Sequence, residues 1–217
     1  MPNKIFRRTH DPIWHLQLGV VVVVVLQLFT APALLPYNKY VIILLEAGLL
    51  AILGIVTPDA YHHVSNRRRA LALTLIGVIA FDNILSLLLL LEALITHNGG
   101  FSGPQLLINA VVIYVTNIFM FALLYWEMDG GGPDRRATGK WYEDFMFTQM
   151  ANPRFADKRW LPGFTDYLYL SSTNVTNFAS ADAVPLTHLA KMVMMTQALV
   201  SVALTVLVLA RAISILH

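Results

Sequence analysis

The 217-residue chain has no cysteine, which excludes disulfides, thiolate metal sites and a cysteine nucleophile. Charge is scarce. Aspartate, glutamate, lysine and arginine make up 13% of the sequence, about half the share of a soluble domain, while 57% is hydrophobic. One compact core could not hide that excess, so apolar side chains are expected to face lipid. A basic surplus is missing as well. Fifteen basic residues stand against 13 acidic ones for a formal net charge of +2, too little to neutralise a run of phosphates, so nucleic acid is not an expected partner. Catalytic signatures are absent: there is no Gly-x-Ser-x-Gly elbow, no zinc-protease helix and no Gly-x-x-x-x-Gly-Lys phosphate cradle. His62 and His63 are adjacent, so in a helix they diverge by about 100°, and no third histidine lies three or four places away. The expectation is a protein that is not an enzyme and carries no metal or cofactor.

Long apolar runs are what the sequence has. A hydrocarbon core of about 30 Å needs roughly 20 apolar residues in helical form, because lipid cannot satisfy backbone amides. Five stretches qualify: Ile13 to Leu35, Tyr40 to Val56, Ala70 to Ile95, Leu106 to Trp126, and Leu189 to Leu216. The first follows Lys4, Arg7 and Arg8 and ends in Ala31-Pro32-Ala33, which has the outline of a cleavable signal, but its apolar run is too long and it reads as a retained anchor. Basic residues gather in the amino-terminal tail, in Arg67-Arg68-Arg69, and after the fourth stretch at Arg135, Arg136, Lys140, Arg154, Lys158 and Arg159. The alternate loops carry only Lys39. The positive-inside bias then puts the amino terminus, the triple-arginine loop and the long fourth loop in the cytoplasm, with the carboxyl terminus outside. Short loops and the lack of cysteine fit a bacterial inner membrane.

The chain divides into a four-helix transmembrane region (residues 1–126), a connecting segment (127–162) and a carboxyl-terminal block (163–217). The connector opens with Asp129-Gly130-Gly131-Gly132-Pro133, a turn that stops the fourth helix. Next, Trp141-Tyr142-Glu143-Asp144-Phe145-Met146-Phe147 mixes aromatics with acids, which fits either a short amphipathic helix at the headgroups or a loop packed on its own chain. The carboxyl-terminal block runs from Phe164 through a hydroxyl-rich stretch to Asn177, then through Asp182-Ala183-Val184-Pro185-Leu186-Thr187 into the last span. A half-length helix, a polar turn and a full span have the form of a re-entrant loop, which is tolerated at membrane depth only where it is buried or lines water.

Asp166 through Arg211, with Tyr167-Leu168-Tyr169-Leu170-Ser171, Thr173, Thr176, the Asp182-to-Thr187 turn and Ala190-Lys191, resembles the pore helix, filter exit and inner helix of the tetrameric potassium-channel superfamily. The whole arrangement is similar to polytopic bacterial membrane-protein families of unknown function. The resemblance implies a homo-oligomer, a tetramer by analogy, with inorganic ions as possible passengers. The filter is degenerate: Asn177, Phe178, Ala179, Ser180 and Ala181 stand where potassium channels place threonine, a small apolar residue, glycine, an aromatic and glycine. Alanine in place of each glycine costs on the order of 1 kcal/mol in the left-handed geometry that a carbonyl ladder needs. Any path would therefore be lined by Thr173, Thr176, Asn177, Ser180 and Asp182 and be weakly selective among cations.

Polar groups also interrupt the spans. Asp82 lies at the centre of the third beside Asn83, and Glu46 lies deep in the second. A carboxyl group there costs about 2.5 to 3.5 kcal/mol, so it should face other helices. Asn109, Thr116 and Asn117, sharing one face of the fourth span, are candidate partners for Asp82. Asp82 and Glu46 read either as an ion or proton relay or as interhelical hydrogen bonding. Thr196, Gln197, Ser201 and Thr205 form a thin polar stripe on the last span, fit for lining a pore or for close packing. The expected class is an all-α integral membrane protein of five transmembrane helices plus one re-entrant half-helix. Three functions remain open: a weakly selective pore-loop cation channel, a non-conducting scaffold or accessory subunit with a vestigial pore fold, and a small proton-coupled transporter using Asp82 and Glu46.

Overall fold

A computed structural model of the chain describes residues 14–29, 39–56, 66–96, 102–136, 138, 142–152, 154, 160–177 and 182–216. The described residues are mostly helical: α1 (Trp14–Leu28), α2 (Lys39–Val56), α3 (Asn66–Thr96), α4 (Gly103–Met128), a 3-10 turn (Asp129–Gly131), α5 (Pro133–Arg136), β1 (Phe145–Phe147), α6 (Thr148–Ala151), α7 (Phe164–Thr176), β2 (Ala183–Pro185) and α8 (His188–Leu216). Among the described residues three helices, α3, α4 and α8, are long and apolar enough to cross a membrane. The apolar parts of α1 and α2, Gln17–Leu28 and Tyr40–Ile55, are shorter. At about 1.5 Å per residue the 15 residues of α1 fall short of a full crossing, and the remainder of the expected first span, residues 30–35, lies outside the described residues. The Arg67-Arg68-Arg69 cluster, expected in a loop, forms part of the first turns of α3.

Helix α4 is the hub. It packs against α1, α3, α7 and α8, while α2 closes on α1 and α3. The start of α4 is set locally, because the Ser102 amide donates to Gln105 Oε1 at 3.0 Å and Pro104 sits in the first turn, where its missing N–H is not needed. Leu123, Trp126 and Tyr125 of α4 meet Val20 and Val23 of α1, Leu53 of α2, and Leu75 and Ile79 of α3 in the larger core. A second cluster joins Leu87 and Leu90 of α3, Leu106, Ala110 and Ile113 of α4, and Leu204 of α8. Large apolar side chains left over point outward, among them Leu44 and Ile55 of α2, Phe81 of α3 and Leu199 of α8. An exposed surface of this composition suits lipid and not water.

The carboxyl end of α4 is tied down by a polar knot. Arg136 Nη1 donates to the carbonyls of Trp126 and Asp129, each at 2.6 Å, and so covers carbonyls left open where the helix ends. Buried Arg68 pairs with Glu127 at 2.9 Å and with Asp134 at 2.7 Å. Asp129 Oδ1 accepts from the amides of Asp144 (2.6 Å) and Phe145 (3.2 Å), and its other oxygen accepts from the Tyr167 hydroxyl. Burial lifts the Tyr167 phenol well above its ordinary range, with Arg136 pulling the other way, so it serves as a neutral donor. Asp144 in turn accepts from Thr187, whose hydroxyl receives the Ala190 amide and so opens α8.

The aromatic segment resolves as a strand. Phe145, Met146 and Phe147 pair antiparallel with Pro185, Val184 and Ala183. The two phenylalanines point inward with period two and meet Tyr125, Tyr167 and Trp160 edge-on. A helix would have split them onto different faces, and that is why the aromatic and acidic pattern misleads. Trp141 lies outside the described residues.

The knot needs its glycines. Gly130, Gly131 and Gly132 all have positive φ, and Gly132, at φ 100 and ψ 166, occupies a region reserved for glycine. A Cβ there would stand 3.0 Å from Glu127 Oε1. Gly132→Ala is therefore expected to destabilise the protein by about 1 to 3 kcal/mol, seen as a lower thermal midpoint in detergent; an unchanged midpoint would contradict this role for the turn.

Candidate functional site

Three polar side chains from three helices converge where the sequence is otherwise apolar. Gln27 of α1 directs its Nε2 to Glu46 Oε1 of α2 at 3.1 Å and to Asp82 Oδ2 of α3 at 3.2 Å. All three are buried, Glu46 completely. One amide nitrogen held by two carboxyl oxygens keeps those oxygens within about 6 Å of each other, the range over which like charges disfavour double ionisation. A proton on either carboxyl group removes the repulsion. Gln27 is the residue that sequence reasoning missed. Its signal was present, an amide near the end of an otherwise unbroken valine and leucine run, but an amide is a weaker flag than a carboxylate.

Asn109, Thr116 and Asn117, the α4 groups expected near Asp82, are all buried. Asn83, its neighbour, donates to the Ile113 carbonyl of α4 at 3.3 Å, and Asn117 of α4 donates to Ser201 Oγ of α8 at 3.3 Å. Thr116 and Asn109 are buried on the same helix. The acid pair therefore sits one residue away from a polar layer that runs through α3, α4 and α8.

The carboxyl-terminal candidates separate into two groups. Asn174 of α7 donates to Gln197 Oε1 at 2.8 Å and to the Met194 carbonyl at 3.0 Å; Tyr125 of α4 donates to the same Gln197 oxygen at 2.5 Å. Gln197 Nε2 reaches Ser171 Oγ at 2.6 Å, and Ser171 donates to the Ile118 carbonyl. These are contacts within the chain. Thr173 is buried and bonds back to Tyr169 and Leu170 of its own helix, while Thr176 and Asn177 are exposed at the end of α7. Phe178, Ala179, Ser180 and Ala181 lie outside the described residues. Asp182 accepts from the Thr148 hydroxyl at 2.7 Å beside the two-stranded sheet.

The polar stripe of α8 is not a single face. Gln197 and Ser201 turn inward and are fully buried, Thr205 hydrogen-bonds with Tyr114 of α4, and Thr196 is exposed and bonds to the Met192 carbonyl. Neighbouring positions diverge by about 100° on a helix, which separates Thr196 from Gln197. The start of α7 is set by Asp166, whose carboxylate accepts from the Gly163 amide at 2.7 Å.

Fold and site together define a helical membrane protein with a buried polar centre. Comparison with known proteins finds no matching family model, no matching curated protein and no matching solved structure.

If the amide of Gln27 organises the acid pair, Gln27→Leu removes a donor from two buried carboxyl groups at once. The expected loss is about 1 to 3 kcal/mol, measured as a lower thermal midpoint in detergent. A variant as stable as the parent would show that the pair does not depend on this amide.

Proposed function

We propose that this is a five-span, proton-coupled transporter in which Glu46 and Asp82, bridged by Gln27, carry the proton. The observation that carries the reading is the amide shared by two carboxyl groups at the meeting point of three helices. Intramembrane acids cost several kcal/mol to place and are kept where they serve an ion or proton path. The amide's two N–H groups hold one oxygen of each acid, so a proton arriving on one acid weakens its bond to the amide and leaves the other as the stronger acceptor. Such alternation changes how α1, α2 and α3 hold one another, which is the coupling a transporter needs. In this reading the amino terminus and the arginines opening α3 face the cytoplasm, and the membrane is a bacterial inner membrane.

A second reading keeps the pore. It draws support from α8, the least covered of the three long helices, which exposes Met192, Met195, Leu199, Val202 and Val206, and from the exposed hydroxyl and amide of Thr176 and Asn177 near it. In a homotetramer that face would meet a second copy, with Thr176, Asn177 and Asp182 toward the axis. The satisfied contacts of Ser171, Asn174, Gln197 and Ser201 inside one subunit fit a packing role for those residues, as the non-conducting scaffold also requires.

Proteoliposomes containing a trapped pH-sensitive dye separate the readings. With the transporter, an imposed pH gradient collapses faster than in empty liposomes; Asp82→Asn abolishes the difference and Asp182→Asn leaves it intact. A cation current that needs no pH gradient and changes preference in Asp182→Asn would assign the protein to the pore reading. No flux of either kind would leave the scaffold.

A further inference from the structure

Helices α1 and α2 meet through amide side chains at two levels. The Gln17 amide nitrogen lies against Gly54, where a Cβ would come within 3.2 Å of it, and further along α1 the Gln27 amide reaches Glu46. Position rises along α1 as it falls along α2, so the two helices are antiparallel. Between the two levels lies a groove of about 430 Å³, lined by Val21, Val24 and Val25 of α1 and by Ala47, Leu50 and Ala51 of α2. That volume falls in the range of small-molecule sites. Val21 and Val25 are 44% and 45% exposed, so the groove opens sideways, where a bilayer would place lipid.

Its inner end is polar. Val24 stands three residues before Gln27 and Leu50 four after Glu46, which puts each pair on one face of its helix and carries the lining of the groove into the acid pair. Two oxygens there have no hydrogen-bond partner, Gln27 Oε1 and Glu46 Oε2, and both residues are buried. Hydrocarbon offers neither oxygen a donor. Glu46 of α2 and Asp82 of α3 are the titratable groups that meet Gln27 at this level, and α4, packed on α1 and α3, carries no charged residue from Gly103 to Trp126. An apolar slot that leads to bare acceptors on an acid pair complements one chemistry: a positively charged N–H donor on an apolar chain.

We propose that the groove binds a lipophilic ammonium ion, with its chain along Val21, Val24, Ala47 and Ala51 and its N–H groups on Glu46 Oε2 and Gln27 Oε1. The proposal rests on the proton-carrying reading of Glu46 and Asp82 and gives that site a substrate class. An ammonium and a proton neutralise the same acid pair. As the ammonium arrives, the carboxyl O–H bond breaks, the oxygen keeps the electron pair and the proton leaves to water. One cation replaces another, so the net charge of the site is unchanged and the two ions exchange one for one.

The test uses the full chain in nanodiscs with radiolabelled octylammonium as the probe. Saturable binding is expected, weaker as the pH falls because protons compete, and displaced by unlabelled octylammonium but not by octanol, which has the chain without the charge. Glu46→Gln removes the charge at constant shape, and Ala51→Phe fills the groove from its exposed side; each is expected to weaken binding about tenfold or more. Octanol displacing the probe as well as octylammonium does would make the groove a slot for alkyl chains and overturn the ammonium site. Binding that does not saturate, or that ignores pH, overturns it as well, and these readings on the parent decide even where a variant fails to fold. The pH-gradient assay on the same protein separates this failure from that of the transporter reading. A gradient that collapses faster than in empty liposomes, without saturable octylammonium binding, overturns the ammonium site alone; absence of both overturns the two together.

Discussion

A polar atom inside hydrocarbon must find its partner within the protein, and this constraint organises the whole bundle. At the carboxyl end of α4 it gathers Arg68, Glu127, Asp129, Arg136 and Tyr167 into one buried knot, because each of these groups would be costly alone. That knot draws the β1–β2 pair and the first turn of α8 onto the end of α4 through Asp129, Asp144 and Thr187. Further along α3, the same constraint brings Gln27 to Glu46 and Asp82. The first cluster is charged, with its charges mostly matched. The second sets two acids on one amide, and that pairing is what makes it a candidate for moving a proton.

Much of the architecture was legible in the sequence because lipid leaves little choice. Apolar runs at Tyr40–Val56, Ala70–Ile95, Leu106–Trp126 and Leu189–Leu216 fall within α2, α3, α4 and α8, and the half-length helix before the last span appears as α7. The boundaries that failed have local causes. The arginines of the second loop begin α3, since Arg68 can reach the acids at the end of α4 and so prefers a helical, buried place. The strand at Phe145–Phe147 escaped notice because it is only three residues long and depends on β2, which is 36 or more positions away in sequence.

The site was half legible. Glu46 and Asp82 stand out as acids in apolar surroundings, yet nothing in the sequence tells which helix faces them, and the amide between them comes from α1, 19 residues before Glu46. For the carboxyl-terminal block the pattern of hydroxyls pointed to a pore lining, while the described residues among them divide between buried contacts to α4 and α8 and exposed positions at the end of α7. Small polar side chains serve both purposes with the same spacing, so composition could not separate packing from passage.

The central claim is that Glu46 and Asp82 act as one unit. Solid-state NMR of the two labelled carboxyl carbons, in bilayers across a pH series, tests it most directly. The account predicts a coupled titration, with both signals shifting over the same pH interval and with Asp82→Asn altering the response of Glu46. Signals that titrate independently, or that hold still throughout, would contradict it.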